Sequence, residues 1–128
     1  LLTPLVRGAQ ARLMLGALRA QLYERVRRRH PWLHDVDAER SMEAAATLAG
    51  PYPTGEAPLT VGSVLHSWEA DSCDGAVVVG PWGCGPTQIS ESLLRHRRDI
   101  PLLFIYSDGT PLDERRLAAF TFRLGGGR

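Results

Sequence analysis

A single cysteine, Cys84, stands between two glycines in the sequence Gly-Cys-Gly-Pro of residues 83–86. The apolar residues 76–79 precede this motif, and a stretch typical of a helix follows it. This order predicts a strand, a tight turn and a helix, which is the junction where α/β proteins commonly carry their chemistry. Thiols at the amino ends of helices are often thiolates, the form that attacks electrophiles and binds metals.

The turn comes close to a phosphate-binding loop, because its glycines and Thr87 have the required spacing. Pro86, however, occupies the position of the lysine that neutralises the phosphates, and the chain contains no lysine. Proline also removes one main-chain N–H donor. Nucleotide hydrolysis is therefore disfavoured, whereas binding of an anion at the start of the helix stays open. The binding residues expected in this turn are Gly83, Gly85 and Pro86.

Asp108 is a further candidate binding residue, since Asp108-Gly109 follows the second predicted strand. The carboxyl ends of parallel strands meet at one edge of a sheet, so Asp108 could face the same cleft as Cys84. An Asp-Gly pair is equally typical of an ordinary turn, and the sequence does not decide between the two.

Nucleophilic catalysis by Cys84 would need a histidine nearby as a base. The candidates are His66 and His96, but His96 lies about three turns down the following helix and His66 has no evident orienting partner. Metal binding by the thiolate is the remaining chemistry. Cys73 lies at the opposite end of the predicted strand, so the two cysteines are not expected to bind one metal ion.

The pattern along the chain predicts two or three helices followed by a β-α-β-α segment. Helices are expected over 10–29, from Asp37 to Leu48, and from a cap at Thr60. Apolar strands at 76–79 and 101–106 alternate with helices at 86–98 and from 111 onward. The unbroken apolar runs predict a parallel sheet covered on both faces. The fold class is α/β, with a Rossmann-like or flavodoxin-like half-sheet.

The composition indicates one soluble domain of 128 residues, with a helical segment over 1–50 and a core over 55–124. A net charge of +1 gives no case for a nucleic-acid partner. No apolar run approaches the length of about 20 residues that spans a bilayer. Since no signal peptide opens the chain either, we expect a cytoplasmic location without a membrane partner. The terminal residues suggest a domain cut from a longer polypeptide.

Four motifs together resemble one family. They are the turn motif Gly-Pro-Trp-Gly-Cys-Gly-Pro at 80–86 after Asp74-Gly75, the Ile-Pro pair at 100–101, the Asp-Gly pair at 108–109, and Arg-Leu-Ala-Ala-Phe at 116–120. Their order and spacing are similar to those of 2-hydroxyacyl-CoA dehydratase-type proteins, most closely the large activase-related ones. The similarity covers roughly residues 55–124. The chain departs from the pattern at Trp82, where the family has phenylalanine, and in the last motif, where alanine replaces a glutamate.

The resemblance implies a subdomain of an iron–sulfur protein that transfers electrons at low potential. In that family, cysteines from separate subdomains hold a [4Fe–4S] cluster, and an ATP-dependent activator domain or subunit delivers the electron. By position, Cys84 would be one cluster ligand, and the remaining ligands would come from other subdomains of the parent protein. The parent could be a CoA-ester dehydratase or reductase component, and we expect this chain alone to be inactive and to lack a cluster.

The alternative is a non-catalytic binding or docking module. In that interpretation Cys84 has no chemical role, and the turn at 80–87 binds an anion or a partner.

Overall fold

The computed structural model of the chain describes residues 3–33, 35–50 and 55–125. These residues divide into two compact units, Leu1–Asp35 and Val36–Arg128. The first unit contains helix α1 (Thr3–Arg27). The second contains, among the residues described, helices α2 (Ala38–Ala49), α3 (Ala57–Glu69), α4 (Gly85–Leu94) and α5 (Glu114–Gly125), and strands β1 (Ala76–Pro81) and β2 (Leu102–Ser107). The architecture is mixed α/β, as the sequence predicts.

Helix α1 confirms the first predicted helix, although it starts earlier and ends two residues sooner than expected. The leucines that set its periodicity, such as Leu18 and Leu22, are exposed. The polar contacts in this unit include an ion pair of 2.5 Å between Arg19 and Asp35. The guanidinium carbons of Arg19 and Arg27 also lie 5.5 and 5.9 Å from the centroid of the Tyr23 ring. None of the described helices is long and apolar enough to cross a membrane.

Helices α2 and α3 form a closely packed pair. Asp37 caps α2 as predicted, because its Oδ1 accepts the main-chain N–H groups of Glu39 and Arg40 at 3.0 and 3.1 Å. The helices approach so closely that a Cβ atom on Gly62 would overlap the main-chain carbonyl group of Ser41. Ser41 is fully buried, and its hydroxyl donates a hydrogen bond of 2.7 Å to Asp37 O. A residue larger than glycine therefore has no space at position 62.

The predicted cap of the third helix, Thr60, is wrong. Helix α3 begins four residues earlier, with Glu56 at the cap position and Pro58 in the first turn. Proline suits the first turn, where its fixed φ is helical and its missing N–H costs nothing. The Thr60 hydroxyl instead donates a hydrogen bond of 3.4 Å to Glu56 O within that turn. The sequence pattern predicts four inner residues on this helix, Val61, Val64, Leu65 and Trp68. The first three are buried, and Trp68 is half-buried.

Strands β1 and β2 are parallel neighbours, with Val78 paired to Phe104 and Gly80 to Tyr106. One face of this sheet packs on α3 and α4 and forms the core with Val61, Val64, Leu65, Val78, Leu94 and Ile100. The other face is only partly covered, since Val77 and Val79 of β1 are 46% and 63% exposed. The prediction of a sheet covered on both faces is therefore wrong for β1, because α5 packs mainly along β2, where Arg116 binds Phe104 O.

Helices α4 and α5 are both shorter than expected. Helix α4 ends at Leu94 rather than Arg98, and Arg97 instead forms a two-bond ion pair with Asp99 at 2.8 and 2.9 Å in the turn that follows. Helix α5 starts at Glu114 rather than Pro111, because Asp113 Oδ1 accepts the N–H of Arg115 at 2.9 Å. Of the residues expected to face inward on α5, Phe120 is buried and Leu117 is exposed.

Candidate functional site

The turn after β1 holds Cys84 at the cap position of α4, as the sequence predicts. Its main-chain N–H donates to Pro81 O at 3.1 Å, and its carbonyl accepts the N–H of Gln88 at 3.1 Å. The Cys84 side chain makes no capping hydrogen bond to the helix and is half-buried. The main chain therefore fixes the position of the thiol, while the sulfur accepts no hydrogen bond from the N–H groups at the start of α4.

Two glycines make this turn possible. Gly83 has a φ of 78°, in the left-handed region that favours glycine. A Cβ atom on Gly80 would overlap the side chain of Thr87, so glycine at position 80 allows the first turn of α4 to lie against β1. At Gly83 and Gly85, by contrast, a Cβ atom would have no neighbour within 4 Å. The turn is thus tightly packed beneath Gly80 and open around Cys84.

A hydrogen-bonded pair from two other elements lies beside the turn. Tyr106, near the end of β2, donates from its hydroxyl to Glu91 Oε2 of α4 at 2.5 Å. Both residues are half-buried. Because Gly80 pairs with Tyr106 in the sheet register, the phenol belongs to the same carboxyl edge as the turn. The pair therefore connects the middle of α4 to the strand next to β1.

Trp82 and Tyr106 form an aromatic contact at this edge. Their ring centroids are 6.4 Å apart, and the rings stand nearly perpendicular at 84°. The Trp82 main chain extends the sheet ladder, since its N–H donates to Ser107 O at 2.9 Å. The indole is 77% exposed, so it partly shields the turn and is also available to a partner.

The charges around Tyr106 show which groups lie close to it. The hydrogen bond to Glu91 is the main cause that raises the pKa of Tyr106 to about 12, and burial and the charge of Glu91 add to it. A negative charge on Cys84 also raises this pKa, whereas the positive charge of Arg95 lowers it. Tyr106 therefore stays protonated at neutral pH.

Asp108 lies one residue beyond β2, at the same edge of the sheet as Cys84. Its Oδ1 accepts hydrogen bonds from the N–H and the hydroxyl of Thr110 at 2.9 and 2.6 Å, and these bonds lower the pKa of the Asp108 carboxyl group. The Asp108 carboxylate is thus hydrogen-bonded within its own turn. The binding role of Asp108 stays a prediction, as do those of Gly83, Gly85 and Pro86 in the open turn.

His66 and His96 do not share a site with Cys84. Gly55, just before α3, is the residue that approaches Pro86, and a Cβ atom there would lie 3.9 Å from Pro86 Cγ. His66 lies at the other end of α3, about 14 Å further along at 1.5 Å per residue. His96 follows the carboxyl end of α4 and is exposed. The structure therefore offers no support for a thiol hydrolase.

Cys73 is separated from Cys84 by the whole of β1. It precedes the strand by three residues and Cys84 follows it by three, and the strand alone spans about 17 Å at 3.3 Å per residue. Burial raises the pKa of the Cys73 thiol. No disulfide joins the two cysteines. Among the described residues, no group of three or more histidine, cysteine or acidic side chains could hold a metal ion.

The pair of Tyr106 and Glu91 is the part of the site that the sequence did not reveal. Glu91 lies 15 positions before Tyr106, and the two meet only because α4 packs across the sheet. The available signal was a tyrosine at the end of an apolar strand, which would be expected to need a hydrogen-bond partner if buried. The sequence gives no rule for choosing Glu91 as that partner.

The fold and the site define a small α/β protein with a parallel two-stranded sheet and a thiol at its carboxyl edge. Comparison of the chain with protein-family models, with curated proteins and with solved structures finds no match.

Proposed function

We propose that this chain is a subdomain of a 2-hydroxyacyl-CoA dehydratase-like, activase-related protein, in which Cys84 is one thiolate ligand of a [4Fe–4S] cluster. The observation that carries this proposal is how Cys84 is held in its turn. The main chain anchors it on both sides, whereas its sulfur makes no capping bond and lies in an open turn. A sulfur held in this way is suited to bind a partner outside its own helix.

The donor set supports one cluster ligand from this chain and no more. An iron–sulfur cluster needs three or four such ligands, and the described residues contain no cluster of metal-binding side chains around Cys84. The other ligands would come from further subdomains or from a partner subunit. When bound, the cluster would supply one-electron transfer at low potential, with the electron delivered by an ATP-dependent activator.

The residues around Cys84 have consistent roles in this proposal. The amino end of α4 carries a partial positive charge, which suits an anionic group such as a cluster bound at its cap position. Trp82 and Tyr106 provide an aromatic contact at the same edge of the sheet as Cys84. Glu91 holds the neighbouring phenol of Tyr106 in place by a hydrogen bond and raises the pKa of that phenol further above neutral.

Anaerobic reconstitution of the full gene product with iron and sulfide tests this assignment. We expect Cys84→Ala to lose bound iron and visible absorbance, and Cys73→Ala to behave like the wild type because it lies at the other end of β1. Unchanged iron content and spectrum in Cys84→Ala would refute the proposal.

A second candidate function is a non-catalytic binding module. It is favoured by the open start of α4, where the Cys84 side chain makes no capping bond and Gly83 and Gly85 leave space for a ligand. Helix starts of this kind bind anions through main-chain N–H groups. An NMR titration with inorganic phosphate should then shift the amides of Gly85 and Thr87, and unchanged amides would exclude this function.

A further inference from the structure

The outer edge of β2 carries a groove that the proposed function does not use. The groove has a volume of about 410 Å³. Apolar side chains of Ile100, Leu102 and Phe104 form its floor, and residues from the end of α4, the following turn and α5 form its walls. The groove therefore runs along the side of β2 that faces away from β1.

The walls of this groove are strongly basic. Among the described residues that line it, one is acidic, Glu91, and four are arginines: Arg95, Arg97, Arg98 and Arg123. Glu91 is engaged by the Tyr106 hydroxyl, and Arg97 is paired with Asp99. Within the part of the chain that the structure describes, Arg95, Arg98 and Arg123 form no salt bridge. Three guanidinium groups are thus available to a ligand of opposite charge.

The main chain at this edge is also available for pairing. The N–H of Ala76 donates to Pro101 O and that of Trp82 to Ser107 O, each at 2.9 Å. The N–H and C=O groups of successive residues in a strand point to opposite edges of that strand. Those of Leu103 and Ile105 therefore point toward β1, and those of Leu102 and Phe104 point toward the groove. In agreement, Arg116 reaches the outer edge and donates to Phe104 O at 2.7 Å.

We propose that the outer edge of β2 binds an extended acidic segment of a partner protein as an additional strand. Main-chain pairing would use the N–H and C=O groups of Leu102 and the N–H of Phe104, which leaves the bond from Arg116 in place. Carboxylates of the segment would reach Arg95 and Arg98 on one side and Arg123 on the other. Arginine suits this role because its planar fork matches a carboxylate.

The structure favours an extended peptide over a free small anion for two reasons. A two-stranded sheet is marginal by itself and gains stability from a further strand. The cations also stand on both sides of one strand edge, which matches the alternating side chains of an extended chain. A small anion would use the arginines but would not pair with the main-chain groups of Leu102 or with the N–H of Phe104.

Binding of a labelled peptide to the 128-residue chain tests the proposal. The probe is fluorescein-labelled Val-Glu-Glu-Val-Glu-Glu-Val with an amidated end, and its control has glutamine in place of each glutamate. Fluorescence anisotropy should show binding of the acidic peptide that weakens with salt, and binding of the control at least about tenfold weaker. Equal binding of the two peptides, or no binding of the acidic one, would overturn the proposal.

Matched variants locate the binding site. Replacement of Arg98 or Arg123 by alanine should weaken binding several-fold, and replacement of both by about tenfold or more. Arg115→Ala, on α5 but outside the groove, should bind like the wild type. An equal effect of all three substitutions would indicate unspecific charge attraction and would overturn the assignment.

Hydrogen exchange separates strand addition from simple ion pairing. The Leu102 and Phe104 amides face the groove, so the acidic peptide should slow their exchange. The Leu103 and Ile105 amides, which already face β1, serve as internal controls. Binding without protection of Leu102 and Phe104, or the same effect with free glutarate, would contradict strand addition.

Discussion

At the scale of single residues, the hydrogen bond from Tyr106 to Glu91 is the feature with the clearest chemical consequence. The phenol donates to the carboxylate at 2.5 Å, and this bond is the main cause of its raised pKa. The bond fixes the edge of the sheet next to Cys84. It also keeps the phenol of Tyr106 neutral at physiological pH.

The Tyr106→Phe substitution should lower the free energy of unfolding by about 1 kcal/mol at neutral pH, because it removes this hydrogen bond. The pKa is raised from 10.0 to about 12 in the folded state, so the stabilisation is complete below pH 10.0 and is lost as the pH rises through about 12. Urea unfolding at neutral and alkaline pH measures the free energy of unfolding of the wild type and of Tyr106→Phe. A stability difference between the wild type and Tyr106→Phe that grows with pH would contradict the predicted direction of the pH dependence.

Spectrophotometric titration provides the control. Glu91→Gln keeps an acceptor of similar size but removes the negative charge, so the phenol that ionises at the highest pH should ionise earlier in this variant. An unchanged titration curve would show that Glu91 does not hold the Tyr106 proton.

At the scale of elements, close approaches of the main chain set the packing. Gly62 allows α3 to contact α2 at Ser41, and Gly80 allows α4 to contact β1 at Thr87. Both glycines are needed for space rather than for an unusual main-chain conformation. The position of the Cys84 turn depends on the second of these contacts.

The Gly62→Ala substitution should destabilise the protein by about 2 kcal/mol, since the added methyl group overlaps main-chain atoms that cannot move aside as a side chain can. Gly16→Ala in α1 is the matched control. A Cβ atom there has no neighbour within 4 Å, so alanine should be neutral or slightly stabilising. Thermal unfolding measures both variants, and equal effects would refute the packing argument.

The two faces of β1 should respond differently to a polar residue. Val78 is buried against the core, whereas Val79 is 63% exposed on the other face. Val78→Thr should therefore cost about 1–2 kcal/mol, and Val79→Thr less than about 0.5 kcal/mol. Denaturant unfolding compares the pair. Similar losses would mean that the outer face of β1 is covered.

The apolar run at 76–79 and the Asp37 cap were sufficient to predict β1 and α2, because both signals are local. The same run could not show that Val79 is exposed, since covering of a strand depends on its neighbours. Thr60 was misassigned for a related reason, because its hydroxyl can bond within the first turn as well as at a cap. Contacts between distant positions, such as Tyr106 with Glu91, could not be predicted, because they depend on how the helices and strands pack together.

At the scale of the whole molecule, the thiol edge and the basic groove lie in the same unit but on different parts of its sheet. The turn with Cys84 follows the carboxyl end of β1, and the groove follows the outer side of β2. Both features suit a protein that acts together with other chains or subdomains. One would receive a cofactor shared with them, and the other an acidic segment.

The most direct test of the proposed cluster ligand is electron paramagnetic resonance of the reduced, reconstituted gene product. Serine at position 84 would replace a sulfur ligand by oxygen, so Cys84→Ser should shift the g-values or abolish the signal. Cys73→Ser should give the wild-type spectrum, because Cys73 lies at the far end of β1. A wild-type cluster signal that is unchanged in Cys84→Ser would contradict the account.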